Sequence, residues 1–275
     1  MSTNLLVQLS DLHIREPGRL AYGRINTAPY LSRAVESIGR LRQLPDAVVI
    51  TGDLTDFGRA AEYDHLRALL SPLPMPVYLL PGNHDDRDQL RASFADHAYL
   101  GDSGFVQYSV AIGHLQLITL DTVVPGASEG GLCAHRLAWL GTELEKAKHR
   151  PVIIAMHHPP FETLIGHMDA IGLLQGAAEL EALVAHYPNV ERVICGHLHR
   201  AIQVRFGGSM AATIPAPAHQ VSLDLAPDAA STWTLEPPGF AVHALPEGGR
   251  LVSHLVPIGQ FEGPYPFHEG GQLID

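Results

Sequence analysis

DAVVITGDLTD, residues 46–56, is the stretch on which the fold turns. Ala47 to Thr51 form an apolar, β-branched run that stops at Gly52 and Asp53, as expected of a strand buried on both faces and ending in a polar loop. The pattern recurs four times. LLVQLS (5–10) stops at Asp11 and His13, PVYLL (76–80) at GNHDD (82–86), PVIIAM (151–156) at His157 and His158, and VERVIC (190–195) at GHLH (196–199).

Helical spacing fills the gaps between these runs. Residues 28–43 place Leu31, Val35, Ile38 and Leu41 on one face, and 60–70, 135–148 and 175–187 show similar spacing. Strand, helix, strand in repetition implies βαβ units and a largely parallel sheet. Ligands of such sheets collect beyond the carboxyl ends of the strands, so all five polar loops are expected on one edge of the sheet. FVQYSVAI (105–112) and HLQLITLD (114–121), joined by Gly113, read as a hairpin. From about residue 201 the pattern changes to short strands, IQVRF, MAATIP, GFAVHAL and RLVSHLV, which are expected to form a second sheet packed on the first. The segment after Val256, rich in Gly, Pro and aromatics, is expected to lie extended.

Composition narrows the function. With 275 residues, 46% hydrophobic and 17% charged, the chain has material for one large α/β domain. A net charge of −11 repels polyanions and argues against a polymeric nucleic acid as partner. MSTNLLVQLSDLH carries no basic n-region, and the longest apolar runs are far short of the roughly 20 residues that span a bilayer, so a cytoplasmic protein is expected. Cys133 and Cys195 are expected as two buried free thiols.

The unusual number is 17 histidines. Asp11, His13, Asp53, Asn83, His84, His157, His197 and His199 all stand on strand-ending loops. Imidazole nitrogen, carboxylate and amide oxygen suit Mn, Fe, Co or Zn, and the set exceeds the four ligands of one tetrahedral ion. Two ions sharing a bridging carboxylate and a bridging hydroxide use it economically, with Asp53 as the natural bridge.

The five blocks DLH (11–13), GDLTD (52–56), GNHD (82–85), HHPP (157–160) and GHLH (196–199) resemble, in order, those of the calcineurin-like metallophosphoesterases. GRAAEYDHLRALL (58–70), LLPGNHDD (79–86) and AHQV (218–221) look like the bacterial class III cyclic-nucleotide phosphodiesterase and glycerophosphodiesterase branch. The resemblance implies a four-layer α/β/β/α sandwich of two mixed sheets, a metallophosphoesterase domain over 1–256 and a tail over 257–275. It implies that one metal takes Asp11, His13, Asp53 and His199, and the other Asp53, Asn83, His157 and His197.

On the same grounds His84 points at the phosphate, and His219 is a further candidate on the substrate side; Asn83 and these two histidines form the expected catalytic group. His158 is expected outside the ligand set. Asp85 and Asp86 stay open between orienting the turn, holding the imidazole protonated, and standing as solvated carboxylates. Tyr22 is expected in a pocket wall, and the loop 161–174 is expected as a lid exposing His167, Met168 and Asp169 to substrate.

The implied reaction is hydrolysis of a small phosphodiester, a glycerophosphodiester or 3′,5′-cyclic nucleotide, by a hydroxide bridging two metals. Alternatives are a phosphomonoesterase or nucleotidase, and a non-catalytic metal-binding interaction module. The branch commonly pairs subunits through its C-terminal strands, which implies a homodimer or higher oligomer through residues 239–257.

Overall fold

The computed structural model describes residues 3–274. The first part of the chain lays down β1 (Thr3–Leu9), α1 (Ala28–Gly39), β2 (Ala47–Thr51), α2 (Ala60–Leu70), β3 (Val77–Leu80) and α3 (Arg87–Ser93). There follow β4 (Tyr108–Ile112), β5 (Leu115–Leu120), the two-residue β6 (Gly130–Gly131), α4 (Ala134–Lys146), β7 (Val152–Met156), the single turn α5 (Gly166–Asp169), β8 (Leu173–Gln175), α6 (Ala177–His186) and β9 (Val190–Cys195). The last part contributes β10 (Ile202–Phe206), β11 (Ser209–Thr213), the short β12 (Gln220–Val221) and β13 (Trp233–Thr234), β14 (Gly239–Pro246), β15 (Val252–Pro257) and a small hairpin of β16 (His268–Glu269) and β17 (Gln272–Leu273).

Two mixed sheets result, ordered β15-β14-β1-β2-β3 and β10-β11-β9-β7-β5-β4. This corrects two expectations. The five loop-bearing strands do not share one sheet: β1, β2 and β3 run parallel in the first, while β7 and β9 run parallel in the second. Nor do the late strands build a sheet of their own; β10 and β11 extend the second sheet beside β9, and β14 returns antiparallel to β1. The apolar runs announce strands, but sheet membership is decided by pairing partners as far apart in the chain as Thr3 and Pro246.

Alternation within the strands explains the layers. Val7, Leu9, Val48 and Ile50 face outward to Leu31, Val35 and Ile38 of α1 and Leu66 of α2, whereas Leu6, Ala47 and Val49 face Leu117, Ile153 and Ile194 of the other sheet. On the far side Leu140 and Leu144 of α4 and Leu180 and Val184 of α6 cover Ile154 and Val193. The order is therefore helices, sheet, sheet, helices, as expected for the four-layer sandwich. Strands parallel within each layer bring their carboxyl ends to a common rim, and the two rims meet.

The tail after β15 buries Ile258 and is then exposed, with the β16–β17 hairpin interrupting the extended course expected of it. Cys195 is buried as expected, but Cys133 is only half-buried at the start of α4; both are free. No helix among the described residues is long and apolar enough to cross a membrane.

Candidate metal centre

Three of the five strand-ending loops, those after β1, β2 and β9, turn their side chains inward through an unusual backbone. Asp11, His13, Asp53, His197 and His199 all have left-handed φ, at 56°, 45°, 47°, 71° and 50°. Non-glycine residues avoid this region, and each such position costs about 1 kcal/mol or more. The corners are held by neighbours: Asp11 N–H donates to Gly52 O at 3.1 Å, and His13 N–H to Asp53 O at 3.0 Å. His197 N–H donates to Asp11 Oδ1 at 2.8 Å, and His84 N–H to Asp53 Oδ1 at 3.0 Å.

The side chains converge. His13 Nε2 lies 3.5 Å and His157 Nε2 3.4 Å from the same Asp53 Oδ2. His13 Nε2 and His199 Nε2 are 3.3 Å apart, and His199 Nε2 is 3.7 Å from Asp11 Oδ1. His157 Nε2 meets Asn83 Oδ1 at 3.1 Å. Ligand atoms of Asp11, His13, Asp53 and His199 all lie within 4.8 Å of one another, and those of His157, His158 and His197 form a second such group.

The tautomers can be assigned from the other ring nitrogens. His13 Nδ1 faces Asp56 Oδ1 at 3.2 Å, His157 Nδ1 donates to Thr51 O at 2.8 Å, and His199 Nδ1 donates to His219 O at 3.0 Å. In each the Nε2 lone pair is left facing the cluster, where carboxylate oxygens and other lone pairs also point. His197 Nε2 and Asp11 Oδ2 are buried with no hydrogen-bond partner at all. Buried acceptors crowded together without donors are unfavourable unless cations complete them, so the residues present fit two metal ions.

Burial would lower His157, but Asp53 raises it to about 9, so a cation bound here takes the place of a proton on the ring. Burial would raise Asp53, but His157, His84 and His13 hold it well below the usual carboxylate range. Burial, then His158 and His157, push His197 well down, keeping it neutral and able to ligate. His158 stands apart: Thr122 Oγ1 at 2.8 Å and Ser128 O at 3.1 Å engage both its nitrogens. Burial and His157 lower its pKa to about 3.

Above the cluster opens a cavity of about 240 Å³. His84, one third exposed, lines it, with Nδ1 donating to Asp56 O at 2.9 Å so that Nε2 is the free nitrogen. His219 lines it too, edge-on to Tyr22 and Trp233 at 5.1 and 5.5 Å between centroids. Its Nδ1 has no partner, and burial, His199 and His13 lower its basicity.

His167 and Met168 reach the cavity, but Asp169 does not. Its carboxylate accepts from Thr163 N and Oγ1 at 2.8 and 2.6 Å and from Leu164 N at 2.9 Å, closing its own loop, which corrects the expectation that it meets substrate. Asp85 orients the turn, accepting from Gly82 N, Leu54 N, Thr55 N and Tyr63 Oη at 2.9–3.2 Å. Asp86 caps α3, accepting from Asp88 N and Gln89 N. The carboxylate beside His84 is Asp56, 3.8 Å from its Nδ1. Sequence reasoning quoted Asp56 within GDLTD without giving it a role, and Trp233 carried no signal because the two-residue β13 that bears it has no motif.

The Calcineurin-like phosphoesterase family profile matches residues 5–201. The chain belongs to that family. It is 36% identical over 272 residues to a probable glycerophosphodiester phosphodiesterase of Arcobacter nitrofigilis, covering 98% of this chain and 100% of that one. It is 37% identical to a probable cyclic nucleotide phosphodiesterase of Rhodopseudomonas palustris, covering 97% of both. The fold is shared with a dimetal phosphatase from Danio rerio at a TM-score of 0.69 and 18% identity, over 93% of this chain and 98% of that one. Among calcineurin-like phosphoesterases, this one thus has relatives of both diesterase types along its whole length.

Proposed function

We propose that the protein is a two-metal hydrolase of small phosphodiesters, a glycerophosphodiester or a 3′,5′-cyclic nucleotide. The observation that carries the reading is His84: its Nε2 is free at the cavity floor beside a donor set arranged for two cations. Asp11, His13, Asp53 and His199 would hold one ion, and Asp53, Asn83, His157 and His197 the other, with Asp53 shared. A nitrogen and oxygen set without thiolate suits Mn, Fe, Zn or Co. When bound, the two ions supply positive charge to the phosphoryl oxygens and bring the pKa of a water toward neutrality.

The chain's own residues do the rest. Asn83 presents its amide oxygen toward the second set and joins it to the turn that carries His84. As the imidazolium, His84 delivers the proton on Nε2 to the departing alkoxide and keeps the one on Nδ1, which fixes the ring on Asp56 O. His219, neutral and with an unpartnered Nδ1, faces the substrate side. Tyr22 and Trp233 wall the alcohol-binding end.

The names of the whole-length relatives support a diester over a monoester, and a cavity of only about 240 Å³ with a net charge of −11 supports a small one. A homodimer through β15 is supported by that strand's position at the sheet edge and by the half-exposed Val252 and Leu255 upon it. A cytoplasmic location is supported by the two free thiols.

The test is hydrolysis of bis(p-nitrophenyl) phosphate with added Mn²⁺, followed by 3′,5′-cyclic AMP, glycerophosphoethanolamine and a phosphomonoester at equal metal loading. Turnover is expected for the diesters, with His84→Ala lowering kcat by about 10²–10⁴-fold. Absence of metal-dependent turnover, or a monoester preferred throughout, overturns the reading. A single-subunit mass in sedimentation at micromolar concentration overturns the dimer.

A further inference from the structure

Beneath the centre, on the side away from the cavity, runs a string of buried polar side chains in an otherwise apolar interface. Gln8, Ser10 and Thr51 are 0% exposed and His243 is 2%, among Leu6, Val49, Ile194 and Leu245. His243 of β14 pairs with Leu6 in one neighbouring strand and Ser253 in the other, which sets its side chain on the same face as Gln8.

The hydrogen bonds admit a consistent direction. Gln8 Nε2 uses its two protons on Thr51 Oγ1 and Cys195 O, both at 3.0 Å, so its Oε1 accepts from His243 Nε2–H at 3.2 Å. That leaves His243 Nδ1 as an acceptor for Ser253 Oγ–H at 2.7 Å. Thr51 Oγ1 donates to Ser10 Oγ at 2.8 Å, and Ser10 Oγ donates to Thr51 O at 3.2 Å. Thr51 O is also the acceptor that fixes His157 Nδ1 at 2.8 Å. The string runs from the edge strand β15 to a residue of the centre, and Gln8 crosses on the way from the first sheet to Cys195 of the second.

Such a string adds little stability by itself, since apolar side chains of the same size would fill the space without desolvating polar groups. Its hydrogen bonds converge on Thr51, and the carbonyl of that residue meets Nδ1 of the His157 ring and so selects its tautomer. Gly196 sharpens the point: a Cβ there would collide with Ser10 Oγ and Thr51 O, so the chain gives up a side chain to keep this corner.

We propose that Gln8 and His243 are positioning residues for the metal centre, holding His157 through Thr51 and anchored at Ser253 on β15. The inference rests on the reading of His157 as a metal ligand. The test is calorimetric titration of the metal-free full-length chain with Mn²⁺ alone, together with KM and kcat for bis(p-nitrophenyl) phosphate at saturating Mn²⁺.

Gln8→Met is expected to raise the Kd of the weaker Mn²⁺ by about tenfold or more and to leave KM within about twofold. His243→Phe is expected to act in the same direction, and His243→Gln, which restores a donor toward Gln8, to return the Kd close to the wild-type value. Should Gln8→Met fail to fold, His243→Phe and Ser253→Ala, the latter at a half-buried edge position, decide by the same Kd. Mn²⁺ affinities unchanged in these variants, with only thermal stability lowered, overturn the proposal, as does a wild-type chain that binds no Mn²⁺. A wild-type chain that binds Mn²⁺ and cleaves no diester removes the proposed function while the calorimetric comparison still decides this one.

Discussion

At the scale of single residues, the two aspartates of GNHDD show how one turn divides its labour. Asp85 gathers donors from three separate segments, at Gly82, Leu54, Thr55 and Tyr63, and so locks the turn carrying Asn83 and His84 onto the loop carrying Asp53. Asp85→Asn replaces one accepting oxygen by a donor facing N–H groups. We expect a loss of about 2–3 kcal/mol in urea unfolding and a fall in Mn²⁺-dependent kcat, because buried donors are stranded. A variant with wild-type stability and turnover would refute this role. The ligand candidates were legible in the sequence because each stands within four residues of a strand end. Asp169 was misjudged and Gln8 and His243 were overlooked for the opposite reason: their partners follow from loop closure, or from pairings as distant as the 235 residues between Gln8 and His243.

At the scale of elements, the strand-to-loop corner is the working part. Apolar runs disclose where strands stop, but not which sheet receives them, since that depends on β14 inserting beside β1 and β11 beside β9. The corners themselves leave almost no room. A Cβ on Gly82 would strike the backbone and carboxylate of Asp53 and come within 2.8 Å of His157 Cε1. Gly82→Ala therefore displaces parts of two candidate ligand sets at once. Its expected signature is retained far-ultraviolet circular dichroism with turnover reduced by about 10²-fold or more, and a variant with near-normal turnover would show that the corner can yield.

At the scale of the whole molecule, stability is expected to answer to acid and to metal. His243, buried and near Arg192, titrates at about 3 when folded against 6.5 for a free imidazole. The unfolded chain thus binds a proton that the folded chain refuses. This contribution is complete above about pH 6.5 and is lost as pH falls toward 3, with a slope of up to about 1.4 kcal/mol per pH unit. His243→Gln should flatten the acid limb of the stability curve in urea titrations between pH 6 and 4; an unchanged limb would place the titration elsewhere. Removal of metal by EDTA should lower Tm and Mn²⁺ restore it, since unpartnered His197 Nε2 and Asp11 Oδ2 then regain partners. A Tm indifferent to both would exclude a loaded centre.

The left-handed corners at Asp11, His13, Asp53, His197 and His199 set a limit on how far this chain can be improved for stability alone. Glycine at any of them would relieve about 1 kcal/mol of backbone strain and remove a side chain of the cluster. The two well-packed sheets hold a backbone that the loops by themselves would abandon, so comfort and candidate ligands are exchanged one for one at these five positions.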